Sequence, residues 1–319
     1  MGAGCSHCYM EAIQMIPISV QTGGAKDIFG IDGAYRAIRE AGFDGVEVNL
    51  GHLLHPNQIR QQIRVSMFEG DDDRELFAHL APFREAAEKY GLQHFQMHCP
   101  FPTTVAEGGE YNEYLIRMIQ KTIRGCAYIG CHKLIVHPFY HFYDHLMTPE
   151  EEWQLNLENY ARIIPAAREY HVTICLENMF ISYRGKTYTA CCSDMDIACR
   201  YIDTLNEMAG EKIFGFCLDT GHLLLLGKDI RQAICRLGDR LLALHVHDND
   251  GRGDRHLAPY MGILDWNRFV EGLKEIGYRH PISFETYNAL QVFDPELAPD
   301  VLSLIAKTGR MFARRIENR

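Results

Sequence analysis

Apolar segments of strand length alternate with helix-like segments along the whole chain, and this alternation limits the folds that the chain can adopt. The expected strands cover residues 13–20, 45–50, 93–99, 133–136, 172–176, 213–218, 241–246 and 281–284. The expected helices cover 31–41, 71–90, 110–129, 148–170, 193–208, 229–237, 266–276 and a stretch within 295–316, with a kink at Pro165. Strict alternation predicts parallel strands joined by crossover helices.

Eight such units in 319 residues favour a closed (β/α)8 barrel, the TIM barrel of the α/β class, over an open doubly wound sheet. No G-x-G-x-x-G follows the first strand, and the sequence contains no G-x-x-x-x-G-K-[ST]. No linker rich in Pro, Gly or Ser divides the chain. We therefore expect one domain over residues 1–319, with residues 1–10 as a loose N-terminal tail.

The charge and the cysteines limit the class of protein. A net charge of −10 argues against a surface built for a phosphate backbone, so nucleic acid is an unlikely partner. The N-terminal segment lacks the basic start of a signal peptide, and the apolar run 223–226 is too short to span a membrane. Eleven scattered cysteines suggest reduced thiols in a cytoplasmic protein. A homo-oligomer is compatible with all of these features.

Two cysteine pairs have no assigned role. Cys5 and Cys8 have the C-x-x-C spacing of zinc sites, but no second pair with matching spacing follows them, which favours a loose tail over structural zinc. Cys191 and Cys192 are adjacent within an expected loop, 179–192. Neither pair contributes to the prediction of function.

Potential metal ligands stand at the carboxyl ends of strands three to eight, which meet at one face of a barrel. They are His98, His137, Glu177, Asp219, His222, His245 and Glu285. Any one of them has an ordinary explanation, since a lone histidine before proline is more often a hydrogen-bonded loop residue than a ligand. Burying all of them unpaired would cost about 1–3 kcal/mol each. A divalent cation would remove that cost, so the set predicts a metal site.

The order and spacing of several motifs resemble the xylose isomerase-like barrel superfamily, which includes sugar isomerases and epimerases and, more distantly, endonuclease IV. The motifs are G-F-D-G-V-E-V at 42–48, H-P at 137–138, L-E-N at 176–178, L-D-T-G-H at 218–222, H-V-H-D-N-D-G-R at 245–252, I-L-D-W at 263–266 and S-F-E-T at 283–286. The resemblance covers nearly the whole chain. It implies a metal-dependent isomerase or epimerase acting on a sugar or sugar phosphate.

The resemblance also implies roles for individual residues. One divalent metal, Mn²⁺ first and Mg²⁺, Co²⁺ or Zn²⁺ as alternatives, would be held by four ligands: Glu177, Asp219, His245 and Glu285. His245 is preferred to His247 because it precedes Asp248-Asn249 by the family's interval. Glu177 and Glu285 would be the acid/base pair that moves the proton next to a carbonyl, through an enediolate. Substrate contacts would be His222 and Arg252, with His98, His137 and Glu47 along the pocket.

Two departures from the sugar epimerases leave the substrate open. Tyr183 stands where those enzymes have a second glutamate six residues beyond the first, and P-Y-M-G at 259–262 replaces their P-G-x-G turn. A sugar dehydratase or a C-glycoside-cleaving lyase on the same barrel is therefore an alternative. A non-catalytic sugar-binding barrel is disfavoured because both glutamates and the Asp and His ligands are present.

The second alternative is a zinc phosphodiesterase similar to endonuclease IV, which holds three zinc ions. The candidates for its additional ligands are His98, His137, His222, Asp254 and His256, and G-D-R-H at 253–256 resembles that family's D-R-H. The acidic net charge and the lack of clear basic loops argue against DNA binding. His247, Asp254 and His256 would either bind an additional metal or, in a single-metal isomerase, contact the four metal ligands without binding the ion themselves.

Overall fold

Eight parallel strands form a closed ring in the computed structural model, which describes residues 15–141 and 146–318. In chain order the strands are β1 (Ile18–Gln21), β2 (Gly45–Asn49), β3 (Gln93–His98), β4 (Lys133–Ile135), β5 (Thr173–Glu177), β6 (Phe180–Tyr183), β7 (Lys186–Thr189), β8 (Phe214–Asp219), β9 (Leu241–His245) and β10 (Ile282–Phe284). Neighbours in the ring run β10-β1-β2-β3-β4-β5-β8-β9. Val246 N donates to Ser283 O at 2.8 Å and joins β9 to β10. The predicted (β/α)8 barrel is confirmed.

Helices surround the ring and connect its strands. They are α1 (Gly23–Ala41), α2 (Pro56–Arg60), α3 (Arg74–Tyr90), α4 (Glu110–Tyr128), α5 (Pro149–Ala161), α6 (Ile164–Glu169), α7 (Met195–Ala209), α8 (Thr220–Leu225), α9 (Ile230–Leu237), α10 (Trp266–Glu275), α11 (Tyr287–Val292) and α12 (Ala298–Ile316). Short 3-10 turns cover Ser66–Phe68, Gly238–Arg240 and Pro295–Leu297. The apolar faces of the helices cover the outside of the strands, as this fold requires.

Local sequence explains where several helices begin and divide. The predicted break at Pro165 is confirmed, because α5 ends at Ala161 and α6 begins at Ile164. Thr148 caps α5 through a reciprocal capping box with Glu151. The first helix begins earlier than expected, at Gly23. Gly30 interrupts it with φ 69° and ψ 178°, a conformation that glycine adopts readily.

The segment 179–192, expected as a loop, contains the antiparallel hairpin of β6 and β7. Its turn residues, Arg184 and Gly185, have φ values of 48° and 74°, as the right-handed twist of a two-residue hairpin turn requires. The prediction of a loop was wrong because both strands have only four residues and pair with each other outside the barrel ring. Helices α2, α8 and α11 were also missed, and each has five or six residues.

Buried cysteines fill part of the barrel core. Cys175 and Cys217 pack with Ile135 and Ala243 into one fully buried layer between the strands. The nine cysteines of the described residues are all free, which agrees with their use as core residues. Cys5, Cys8 and the expected tail lie outside the described residues. Of the described helices, none has the length and apolarity needed to cross a membrane.

Candidate metal centre

The carboxyl ends of the strands bring the predicted ligands together. Glu177, Asp219 and His245 are the last residues of β5, β8 and β9, and Glu285 directly follows β10. The four side chains are at most 8% exposed. Asp219 also caps α8 by accepting a hydrogen bond from His222 N at 2.7 Å, which fixes one of its oxygens. Because parallel strands end at the same barrel face, residues far apart in sequence become neighbours.

His245 stands at the centre of this set. Its Nδ1 lies 3.3 Å from Glu177 Oε1, 3.4 Å from Glu285 Oε2 and 4.0 Å from Asp219 Oδ2. Donor atoms bound tetrahedrally to one Zn²⁺ at about 2.0–2.2 Å are separated by roughly 3.4 Å. The distances from His245 Nδ1 to Glu177 and Glu285 are close to this value, and the distance to Asp219 is longer. His247 Nε2 lies 3.0 Å from both oxygens of Asp219, so the choice of His245 over His247 stays a prediction.

Glu47 and two glutamines support the centre from the β1–β3 side. Glu47 Oε2 lies 3.2 Å from His245 Nε2 and accepts a hydrogen bond from Gln96 Nε2 at 2.5 Å. Gln21 Nε2 donates to Glu285 Oε1 at 2.7 Å. Gln21 and Gln96 were missed because the sequence argument considered only histidines and acids. Gln21 is the last residue of β1, so the same strand-end rule would have found it.

A second donor group lies beside Glu177. His98 Nε2 and His137 Nε2 are 3.1 Å apart, and they lie 3.6 Å and 3.2 Å from Glu177 Oε2. His98 Nδ1 contacts Cys99 O at 2.7 Å, a contact that orients the ring and leaves Nε2 facing the carboxylate. These three residues form one of the sets of ligand atoms that lie close enough together to share an ion.

A third group surrounds Asp254. His256 Nε2 and His222 Nε2 lie 2.9 Å and 3.4 Å from Asp254 Oδ2. His247 Nε2 is 3.0 Å from both oxygens of Asp219, and its ring stacks on His256 at 4.2 Å between centroids. All of the residues proposed as additional ligands thus lie beside the central set.

The charge balance of the centre depends on histidine. Five acids meet here: Glu47, Glu177, Asp219, Asp254 and Glu285. No lysine or arginine of the described residues forms an ion pair with any of them. Burial lowers the pKa of His245, but Cys217 and the carboxylates of Glu285, Glu47 and Glu177 outweigh burial and raise the pKa well above its usual value. Burial raises the pKa of Glu177, yet His245 and His137 hold it well below its usual value.

Several buried atoms of the centre lack a hydrogen bond. They are Glu177 Oε2, both ring nitrogens of His245, His247 Nδ1 and Asp254 Oδ1. Unsatisfied buried polar atoms are rare in folded proteins because each costs about 1–3 kcal/mol. Nitrogen and carboxylate donors without partners, oriented toward one another, fit a divalent cation. The residues present therefore fit the metal that the sequence predicted.

The loop after β9 is held by one buried carboxylate. Asp248 accepts hydrogen bonds from Tyr260 N, Leu264 N and Trp266 Nε1, each at 3.1 Å. Asn249 Nδ2 donates to Gly221 O at 2.9 Å and ties the same loop to α8. These bonds explain why H-D-N-D and I-L-D-W occur together in the sequence. They position the loop that carries Asp254 and His256.

A cavity of about 590 Å³ opens onto the centre. Its walls include the predicted residues His98, His137, Glu177, His222, Asp254, His256 and Glu285. Phe101, Phe180 and Tyr287 also line it and were missed, since isolated aromatic residues carry no distinctive sequence pattern. Arg252 is exposed and does not line the cavity. Its role as a substrate contact, like the other assigned roles, stays a prediction.

Known proteins share this architecture. The chain is 32% identical over 83 residues to an L-ribulose 3-epimerase of a Methylomonas species, and the alignment spans 25% of this chain and 26% of that protein. It is also 43% identical over 72 residues to an uncharacterized protein y4fM of Sinorhizobium fredii, which spans 23% of each chain. The chain therefore aligns with about a quarter of the length of these two relatives.

Solved structures match over nearly the full length. A 3-keto-D-glucoside 4-epimerase, YcjR, of E. coli matches with a TM-score of 0.65 at 17% identity, over 92% of this chain and 100% of that one. The IOLI protein with a binding zinc atom matches with a TM-score of 0.65 at 15% identity, over 94% and 97%. At this identity the structures establish the fold. The family model of the xylose isomerase-like TIM barrel matches residues 35–307. The chain belongs to the xylose isomerase-like TIM barrel family.

Proposed function

We propose that this protein is a divalent-metal-dependent sugar isomerase or epimerase that moves a proton next to a carbonyl group. The observation that supports it best is the convergence of Glu177, Asp219 and Glu285 on His245 Nδ1 at 3.3–4.0 Å. The same two glutamates line the cavity and have room for a small substrate beside them. Epimerases among the similar proteins support the same reaction class.

The chain's residues divide the chemistry. A cation bound to Glu177, Asp219, His245 and Glu285 would supply Lewis-acid polarisation of a carbonyl and the adjacent hydroxyl. Glu177 and Glu285 then remove and return the proton, because each is a carboxylate facing the cavity. They enter from β5 and β10, three places apart in the eight-stranded ring, so they approach a bound carbon from different sides. Proton transfer on two sides is what inverts or shifts a stereocentre.

Neighbouring side chains set the properties of the two bases. Gln21 donates to Glu285 Oε1 and leaves Oε2 toward His245. His137 lies 3.2 Å from Glu177 Oε2 and is one of the groups that lower the pKa of Glu177. Glu177 is therefore held as a carboxylate, the form that accepts a proton. Both glutamates line the cavity at the barrel mouth.

The same carboxylates suit a dehydratase or a C-glycoside-cleaving lyase. All three reactions begin by removing a proton next to a carbonyl, and they differ in whether a neighbouring group then leaves. The E. coli relative acts on a keto-glucoside according to its name, so a substituted sugar is compatible with this barrel. Analysis of the products separates the three reactions.

A metal-dependent phosphodiesterase is the second candidate, and the Asp254 group favours it. His222, His247 and His256 surround Asp254, and a second donor group lies at His98 and His137. A site with several metals could bind both oxygens of an in-line displacement on phosphorus. The net charge of −10 disfavours a nucleic-acid substrate and makes this the weaker candidate.

Metal analysis combined with a sugar panel tests the proposal. The protein is purified with Mn²⁺, Mg²⁺, Co²⁺ or Zn²⁺, its metal content is measured, and ketoses, aldoses, their phosphates and keto-glucosides are incubated with it in D₂O. We expect one tightly bound ion per chain and deuterium on the carbon next to the carbonyl of at least one sugar. Three tightly bound ions with cleavage of a phosphodiester, and no exchange with any sugar, would instead establish the second candidate.

A further inference from the structure

A second, smaller cavity adjoins the metal centre. It has a volume of about 170 Å³, and four residues belong to its walls and to those of the main cavity: Phe101, His137, Met179 and Phe180. The two cavities are therefore adjacent and share the side chains of these four residues. We call the smaller one the annex. Glu177, Asp219, His245 and Glu285 do not line it, whereas His137, whose Nε2 lies 3.2 Å from Glu177 Oε2, does.

The annex has predominantly apolar walls. It is also lined by Pro102, Pro138 and Tyr140 from the loops after β3 and β4, by Ile181 of β6, and by Ala190 and Cys191 after β7. Phe101 and Phe180 are only half-buried although both are large and apolar, because each presents a face to the cavities. A sugar ring, covered with hydroxyl groups, would lose hydrogen bonds to water against such walls. An apolar substituent would instead gain from leaving water.

The size of the annex selects one ring. An engineered protein cavity of about 150 Å³ accommodates benzene. The annex, at 170 Å³, therefore fits a single six-membered aromatic ring and excludes a second sugar or a fused polycyclic group. Aromatic side chains at its walls can pack against the face or the edge of such a ring.

A cation stands among the lining residues of the annex. The exposed Arg60 donates from Nη1 to Asn57 Oδ1 at 3.2 Å, and no carboxylate of the described residues pairs with it. A guanidinium beside an apolar slot can bind an oxygen anion on the ring while the ring itself is buried. This arrangement favours a ring that carries a carboxylate or a phenolic oxygen.

We propose that the annex binds the aromatic aglycone of the substrate, so that the protein acts on an aryl-substituted sugar in preference to a free one. This inference rests on the proposed function, since it places the sugar beside Glu177 and Glu285. It narrows the substrate class to keto-sugars with one aromatic ring, because an aryl glycoside has no free carbonyl at its anomeric carbon and the proposed proton removal needs a keto group elsewhere on the sugar. Phe101, Met179 and Phe180 line both cavities, so they would contact the substrate where the sugar joins the aglycone.

Fluorine NMR with defined probes tests this directly. The probes are 4-fluorophenyl β-D-glucopyranoside and 4-fluorophenol. Methyl β-D-glucopyranoside is the control sugar that has no aromatic ring. We expect the ¹⁹F resonance of both fluorinated probes to broaden with the protein. The aryl glucoside should bind at least about tenfold more tightly than the methyl glucoside. Ala190→Phe, which fills the annex without touching the metal centre, should remove this gain, whereas the surface control Arg64→Gln should keep it.

A second variant covers the case in which Ala190→Phe fails to fold. Arg60 is exposed, so Arg60→Gln leaves the core intact and should abolish any preference for 4-carboxyphenyl β-D-glucopyranoside over the 4-fluorophenyl compound. The proposal is overturned if neither fluorinated probe is perturbed, or if folded Ala190→Phe and Arg60→Gln bind like the wild type. Ring binding without deuterium exchange on any sugar would leave the annex established and refute only the proposed reaction.

Discussion

His245 Nδ1 and Glu177 Oε1 lie 3.3 Å apart, although they come from strands 68 positions apart in the chain, at 245 and 177. Both side chains are almost fully buried, at 0% and 1% exposure. No arginine or lysine of the described chain pairs with that carboxylate. This contact is explained if the imidazole and the carboxylate are two ligands of one metal ion. The positive charge of the ion would then balance the carboxylate charge, which the histidines balance in the metal-free protein.

Replacing either proposed base should stop proton exchange. We expect Glu177→Gln and Glu285→Gln each to lower the deuterium exchange rate by about 10²–10⁴-fold, because an amide cannot accept the proton. Metal content is measured for each variant, since the same oxygens are proposed ligands. Glu158→Gln, an exposed substitution on α5, is the matched control. Wild-type exchange in either variant would refute the acid/base assignment.

Removing the metal should destabilise the protein. An ion present at 100 times its dissociation constant stabilises the folded state by about 2.7 kcal/mol. Treatment with a chelator should then lower the Tm by roughly 5 °C. His245→Ala should lack most of this difference, while Arg252→Gln should retain it. An identical Tm for the treated and untreated wild type would argue against a bound ion.

Metal affinity should fall as the pH is lowered. The surrounding carboxylates raise the pKa of His245, so the metal-free protein keeps a proton on that ring at higher pH than usual. Binding must displace this proton, and the proton concentration competes with the ion. Calorimetry in buffers of different ionisation enthalpy should therefore detect proton release. A binding enthalpy independent of the buffer would contradict this coupling.

Asp248 should matter for stability and for the position of the loop. Asp248→Ala leaves the N–H groups of Tyr260, Leu264 and Trp266 without their acceptor, and we expect a loss of about 3 kcal/mol or more in the free energy of unfolding. Asp250→Asn, at an exposed position in the same loop, should cost less than about 1 kcal/mol. Urea titrations compare the two. Equal stabilities would show that the buried carboxylate does not hold the loop.

Glu152 provides a pH-dependent test of burial. Burial raises the pKa of its carboxyl from 4.5 to about 7. The folded state thus holds the proton more tightly than the unfolded state, so stability falls as the pH rises from about 4.5 to 7. Glu152→Gln should remove this loss and raise the Tm at pH 8 by about 2 °C, with little effect at pH 5. A Tm difference that is the same at both pH values would contradict the explanation.

The alternation of strand and helix patterns predicted the barrel because each strand and each helix has its own hydrophobic pattern in the local sequence. The predicted ligands at strand ends, such as Asp219 and His245, lie together because the (β/α)8 topology brings all carboxyl ends to one face. The hairpin at Phe180–Tyr183 and Lys186–Thr189 could not be predicted in this way, because its four-residue strands pair with each other outside the ring. Local patterns contain no information about such additions.

Long-range support within the site was also hidden in the sequence. Gln96 donates a hydrogen bond to Glu47, and Asp248 accepts one from Trp266. Both contacts depend on the three-dimensional fold. The annex is a further case, since its walls come from three separate segments around Phe101, Tyr140 and Ile181. Individual apolar residues in loops do not indicate a cavity until the fold brings them together.

The most direct test of the account follows deuterium from solvent into a sugar. The metal-loaded protein is incubated in D₂O with the sugar panel, and the position of the label is determined by NMR. The account predicts deuterium only on the carbon next to the carbonyl, dependent on both Glu177 and Glu285 and lost after chelation. Absence of label from every sugar, with the metal fully bound, would contradict it.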